Sequence, residues 1–283
     1  MPGVTSSSVQ QAREALGRRL REIRLDVGLT ARELARRADW HESKCSRLEN
    51  GRTSPSDADI RTYTTLCGAQ DQTSDLIATA RGIEGAYIQW RRMERAGLRR
   101  VQQSVAPLFE RTRRFRVYQS WVIPGLLQSA AYTRAVLSTV AHLRDVPDDI
   151  DDAVAVRMDR QRILHTGDHR FAVLVEEWVL RTVIGDHDTM AGALGHLISV
   201  ASLPSVSLGI IPLGTARGAG WPVESCTMYD DAQVNVELVS AHLTVTQPGE
   251  IAEYTKAFAE LSAIAVYGTQ ARSLITAAID ALG

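Results

Sequence analysis

Glu42, Ser43, Lys44 and Arg47 form one side of a short stretch whose other side carries Cys45 and Leu48. They offer a carboxylate, a hydroxyl and two cations, which suit hydrogen bonding to base edges or phosphates and equally suit a solvated helix face. Other spacings carry less. His165 and His169 have the i, i+4 separation of a metal pair, but Gly167 and Asp168 break any helix between them. Asp186, His187 and Asp188 read as a ligand cluster or, after Gly185 and before Thr189, as a turn capping the next helix. Glu176 and Glu177 follow a strand, where adjacent side chains point to opposite faces, and so make a poor acid–base pair. The segment from Gly214 to Pro222 lacks the lysine and the strand-to-helix setting of a phosphate loop. It reads as a mobile loop or lid, with Arg217 and Trp221 as candidate residues of an effector pocket. No nucleophile–base arrangement stands out, so no enzyme, metal site or cofactor is expected.

The first stretch needs two helices to position it. Thr30 and Glu33 have capping-box spacing, and Leu34, Ala35 and Ala38 fall on one face, small enough for close crossing. Asp39-Trp40-His41 reads as a turn, and Gly51 as the residue that ends the second helix. The outline is that of a helix-turn-helix, whose second helix enters the major groove, or of an ordinary helical hairpin. A preceding helix, capped by Ser8 and Gln11, carries Ala12, Leu16, Leu20 and Ile23 on one stripe and stops at Gly28. Ser56 and Asp59 open a fourth helix through Ile60, Tyr63 and Leu66 to Gly68. Residues 1–8 are expected to be loose, and residues 1–70 to form a small all-α domain.

Residues 71–114 stay helical in pattern, basic, and broken by glycines at 82, 85 and 97; a helical connector is expected, with Ile88 and Met93 near one face. The character changes at Phe115. Strands are expected at 116–121, 171–175, 206–211, 226–229, 234–238 and 243–246, with helices at 124–140, 148–164, 177–184, 190–201 and 250–282. Without strict β-α-β alternation, residues 115–283 read as a mixed α+β domain, making the whole a multidomain α and α+β protein.

The chain has 283 residues, 45% hydrophobic and 23% charged, in the range of a soluble globular protein. No run of about 18 apolar residues suggests a membrane span, and Met1 to Ser8 lacks the apolar core of a secretory signal. Cys45, Cys67 and Cys226 are scattered, as expected of buried thiols in a reducing cytoplasm. Residues 1–116 carry 22 Arg and Lys against 14 Asp and Glu, and the rest 10 against 19, an asymmetry suggesting a nucleic-acid-facing portion and another with a different partner.

Leu48-Glu-Asn-Gly51 after Ser46-Arg47 resembles the end of the recognition helix in phage-repressor (Cro/cI, or Xre) domains. That resemblance implies base-facing roles for His41, Glu42, Ser43 and Arg47, phosphate contacts from Lys44, Asn50 and Arg52, and an internal ion pair between Arg24 and Glu49. Where the family commonly has glutamine at the start of both helices, this chain has Ala31 and Glu42. Glu42 therefore either accepts from a cytosine or adenine amino group or turns away to cap its helix. Further on, Trp121-Val-Ile-Pro-Gly-Leu-Leu-Gln to Leu137, Ala155 to Leu164, Val175 to Arg181 and Ile211-Pro212 are similar to segments of the WhiJ-like regulators of actinobacteria. The likeness implies a cytoplasmic, dimeric transcriptional regulator of an operator in double-stranded DNA, with an antitoxin-like C-terminal domain that binds a small companion protein. The alternative is a C-terminal domain that encloses a small-molecule effector.

Overall fold

The computed structural model describes residues 7–218 and 220–283, without side chains at 7–9, 84–89, 91, 92 and 96. Of the residues 1–8 expected to be loose, 1–6 lie outside the described residues, as do the Ser8 cap and the placement of Ile88, whereas 7 and 8 are helical. The chain divides into two units, residues 1–88 and 89–283.

The first unit holds α1 (Ser7–Asp26), α2 (Ala31–Arg37), α3 (Glu42–Glu49), α4 (Asp57–Leu66) and α5 (Thr73–Ala86). Leu16, Leu20 and Ile23 of α1 bury their stripe with Leu34, Leu48, Ile60 and Tyr63. Ser56 and Asp59 form a complete capping box, whereas Thr30 caps only the Glu33 N–H, at 3.1 Å. The Glu33 carboxylate turns instead to Arg36 and Arg37, which hold its pKa well below the usual range. Gly51, at φ +64°, closes α3: its N–H bonds the Leu48 carbonyl at 3.1 Å and that of Arg52 the Arg47 carbonyl at 2.9 Å, a Schellman arrangement. Gly17 lets α1 meet the end of α3, because a Cβ there would lie 2.5 Å from the Glu49 carbonyl oxygen.

Helix α5 passes through Gly82 and Gly85 without breaking and packs on α1 and α4. Of the stretch 71–114, α5 lies in the first unit and the helices after residue 89 in the second.

The strand β1 (Tyr87–Gln89) spans the division. The second unit continues with α6 (Trp90–Met93), α7 (Leu98–Ser104), α8 (Ala106–Arg111) and β2 (Arg114–Gln119). Next come α9 (Ala130–Arg144), α10 (Ile150–Arg160), β3 (Arg170–Glu176), α11 (Glu177–Arg181), α12 (His187–Val200) and β4 (Val206–Ile211). The remainder is β5 (Cys226–Tyr229), β6 (Gln233–Glu237), β7 (Ala241–Val245), α13 (Pro248–Ala263), β8 (Val266–Tyr267) and α14 (Gly268–Asp280). Two expected helices differ. Pro124 leads into a single 3-10 turn before α9, and the block from 250 splits around β8, which pairs with β4.

The second unit's strands lie in the order β7-β6-β5-β2-β3-β4-β8. β2, β3 and β4 run parallel, joined by helical crossovers, and antiparallel strands extend the sheet on both sides. This mixed sheet with its helices is the α+β architecture expected. Phe115 stands opposite Phe171 and stacks on it at 4.7 Å. One core joins these strands to α9, α11, α12 and α14 through Tyr132, Leu180, Leu194, Leu197 and Ile275.

Candidate nucleic-acid interface

Helix α3 is fixed from beneath. The Arg24 guanidinium meets the Glu49 carboxylate at 2.6 and 2.8 Å, both side chains being buried, and also bonds the Leu29 carbonyl. Tyr63 and Cys45 donate to the same Glu49 oxygen, at 2.7 and 3.2 Å. Burial pushes the Glu49 pKa up, but these donors outweigh it and leave the carboxylate ionised below its usual range. Burial and the neighbouring Glu49 push the Cys45 thiol up to about 12, so it stays protonated. Arg24 and Glu49 thus join α1 to the C-terminal end of α3 and hold the helix by its buried side.

The opposite side is open. His41 is the N-cap; its Nδ1 accepts from the Ser43 N–H and lies 2.8 Å from the Ser43 hydroxyl. Arg47 is exposed and donates to Ser43 Oγ at 3.1 Å, and neither it nor Arg52 meets a carboxylate among the described residues. His41, Ser43 and Arg47 therefore form one polar row along the first turns of α3. Glu42 pairs with Arg32 of α2 at 2.8 Å, both exposed. This ion pair joins α2 to α3, and composition alone gave no sign of Arg32.

Two of the residues expected at phosphate are engaged within the protein. Lys44 bonds Asp59 at 2.6 Å and lies over the Trp40 ring, and Asn50 bonds the Ser46 carbonyl at 2.7 Å. Arg52 is exposed. The basic excess of residues 1–116 is also placed elsewhere. The first unit carries 13 basic against 12 acidic residues, and positions 89–116 of the second carry 9 against 2. Any electropositive character of the α3 surface is therefore local.

In the second unit, Arg217 lines none of the described cavities. Its guanidinium bonds both oxygens of fully buried Glu176, at 2.7 and 2.6 Å, and Tyr118 donates to the same carboxylate. Arg217 thereby joins its loop to the end of β3. Trp221 is 76% exposed and borders no described cavity. Glu177, also buried, accepts from Arg181 and the Leu213 N–H, so both glutamates hold the segment between β4 and β5. Asp186 caps α12, and His169 bonds the Thr112 carbonyl.

A cavity of about 260 Å³ lies between one sheet face and helices α7 to α10. Alternate strand positions face it, Phe115, Val117 and Gln119 on β2 and Thr227 and Tyr229 on β5, as the strand period dictates. Arg157 and Arg160, one helical turn apart on α10, also line it. They lie within a segment singled out for its family likeness, and their i, i+3 spacing is legible, but nothing in the sequence says which face of α10 turns inward.

Residues 15–76 match the model of a helix-turn-helix domain, which spans α2, α3 and α4. Residues 102–277 match the model described as a domain of unknown function, DUF5753, and the chain belongs to that family. No curated protein and no solved structure gives a significant match.

Proposed function

We propose that the protein is a sequence-specific transcriptional regulator that places α3 in the major groove of an operator. The observation that carries this reading is the row of His41, Ser43 and Arg47 on a helix anchored from its buried side by Arg24 and Glu49. Arg47 takes a guanine through O6 and N7, a contact worth roughly 1–3 kcal/mol of discrimination. Arg52 contacts phosphate; Lys44 and Asn50 reach it only by leaving their internal partners. Glu42 acts by holding α3 against Arg32, and contributes to readout through that orientation.

The C-terminal unit supplies the homodimer contact and the surface for a small companion protein, as the WhiJ-like resemblance implies for a cytoplasmic, antitoxin-like regulator. Supporting this is apolar surface at the carboxyl ends of the parallel strands. Trp178 bonds the Ser120 carbonyl beside exposed Trp121, Leu213 is 52% exposed, and Arg181 and Arg217 flank them. Exposed apolar patches rimmed by charge mark protein contacts. The second reading, control by a small molecule, is favoured by the cavity beneath α7 to α10.

Fluorescence anisotropy of the full chain with the DNA upstream of its own coding sequence tests the regulator reading. Specific binding, weakened steeply by salt and by Arg47→Ala, is expected. Binding that ignores sequence in every genomic fragment, with the companion present, would sink it.

A further inference from the structure

Buried charge is costly unless an opposite charge meets it. Arg157 and Arg160 are half-buried and face the cavity, and no carboxylate pairs with either among the described residues. Their partners are amides. Arg157 bonds Gln102 Oε1 at 3.1 Å and Gln128 Oε1 at 2.9 Å; Arg160 bonds the Gln102 carbonyl and the same Gln102 Oε1, at 3.0 and 3.1 Å. Two cations thus share one neutral oxygen. Arg160 lies over the Phe109 ring at 4.7 Å, and its buried Nε has no partner. Burial, reinforced at Arg157 by Arg160, holds both guanidiniums down to about 10, still cationic at neutral pH.

The rest of the wall sets the remaining chemistry. Phe109, Phe115, Val117, Leu127 and Leu137 make an apolar body site. Glu237 and buried Glu94, whose Oε2 has no partner, also line the cavity, with Arg144 on the other Glu94 oxygen at 2.5 Å. Two carboxylates in the same chamber disfavour a dianion such as phosphate, whereas a singly charged carboxylate matches the guanidinium fork.

We propose that this cavity is the binding site for a small organic acid, with its carboxylate held by Arg157 and Arg160 and its apolar body against Phe109 and Phe115. The site gives the regulator reading a signal, and rests on that reading only for its biological sense, because binding is measured without DNA.

The test is isothermal titration of the full chain with 4-phenylbutyrate and decanoate as probes, each against its amide and its amine. Saturable binding of at least one acid is expected, with the matching amide weaker by about tenfold or more, the worth of one charge-assisted bond. Arg157→Gln and Arg160→Gln, checked for folding by circular dichroism, reduce acid affinity and leave amide affinity unchanged. Should either variant fail to fold, the acid–amide contrast on the unaltered protein still decides. Equal affinity for acid and amide, preference for the amine, or no saturable binding of either acid would overturn the proposal. Failure to bind DNA with acid binding intact would remove the regulator reading alone.

Discussion

Arg24 in the first unit is buried and the pair Arg157 and Arg160 in the second is half-buried, and their surroundings differ further. Arg24 meets a buried carboxylate through two hydrogen bonds, and that carboxylate is further bonded by Tyr63 and Cys45. Arg157 and Arg160 meet only amides and open onto a cavity. The first arrangement is closed: every strong acceptor is used, and its result is a rigid seat for α3. The second leaves positive charge unanswered, a stability cost that a structural role does not require and that a ligand would offset.

Breaking the closed arrangement has the largest expected effect. Arg24→Met leaves Glu49 buried and ionised without its cation, and should destabilise the first unit by about 3–5 kcal/mol, read from its unfolding transition in urea. The pH dependence follows from the depressed Glu49 pKa. Its contribution is present above the unfolded carboxylate value of roughly 4.3 and is lost as pH falls through the lower folded value. Glu49→Gln should flatten that acid limb. Buried Glu94 in the second unit has the opposite sign: its pKa is raised by burial, so its contribution is present at low pH and lost as pH rises through the folded value. A pH series of unfolding curves that showed the same slope for both units would contradict the contrast.

Next in size is Gly17→Ala. The added methyl would press on the backbone at Glu49, and a cost of about 1–3 kcal/mol is expected in the same unfolding experiment. The smallest effect sharpens the comparison most. Arg157→Met removes a cation that has no counter-ion, so the second unit should change by less than about 1 kcal/mol, or gain stability. A loss as large as that of Arg24→Met would mean that the Gln102 and Gln128 bonds alone hold α10 in place.

Much of the first unit was legible because its signals are local. The buried stripe of α1, the Ser56–Asp59 box and the Gly51 stop each depend on residues within a few turns, and each forms as its spacing dictates. Glu42 and Lys44 were less legible: their partners, Arg32 and Asp59, lie on neighbouring helices, and distance across a helix crossing is not written in spacing. Arg217 shows the same limit, for a glycine-rich loop looks free until Glu176 is found beneath it, 41 residues away in sequence.

Local spacing was enough to read α2, the turn and α3, and the change to a mixed α+β portion after them. Periodicity and capping act over a few residues, so they survive without knowledge of the fold. Tertiary structure alone decided that α5 joins the first unit, that Arg217 is an anchor, and that Arg157 and Arg160 turn toward a common cavity. Those outcomes depend on which distant surfaces meet, and on whether a buried charge finds an opposite charge there.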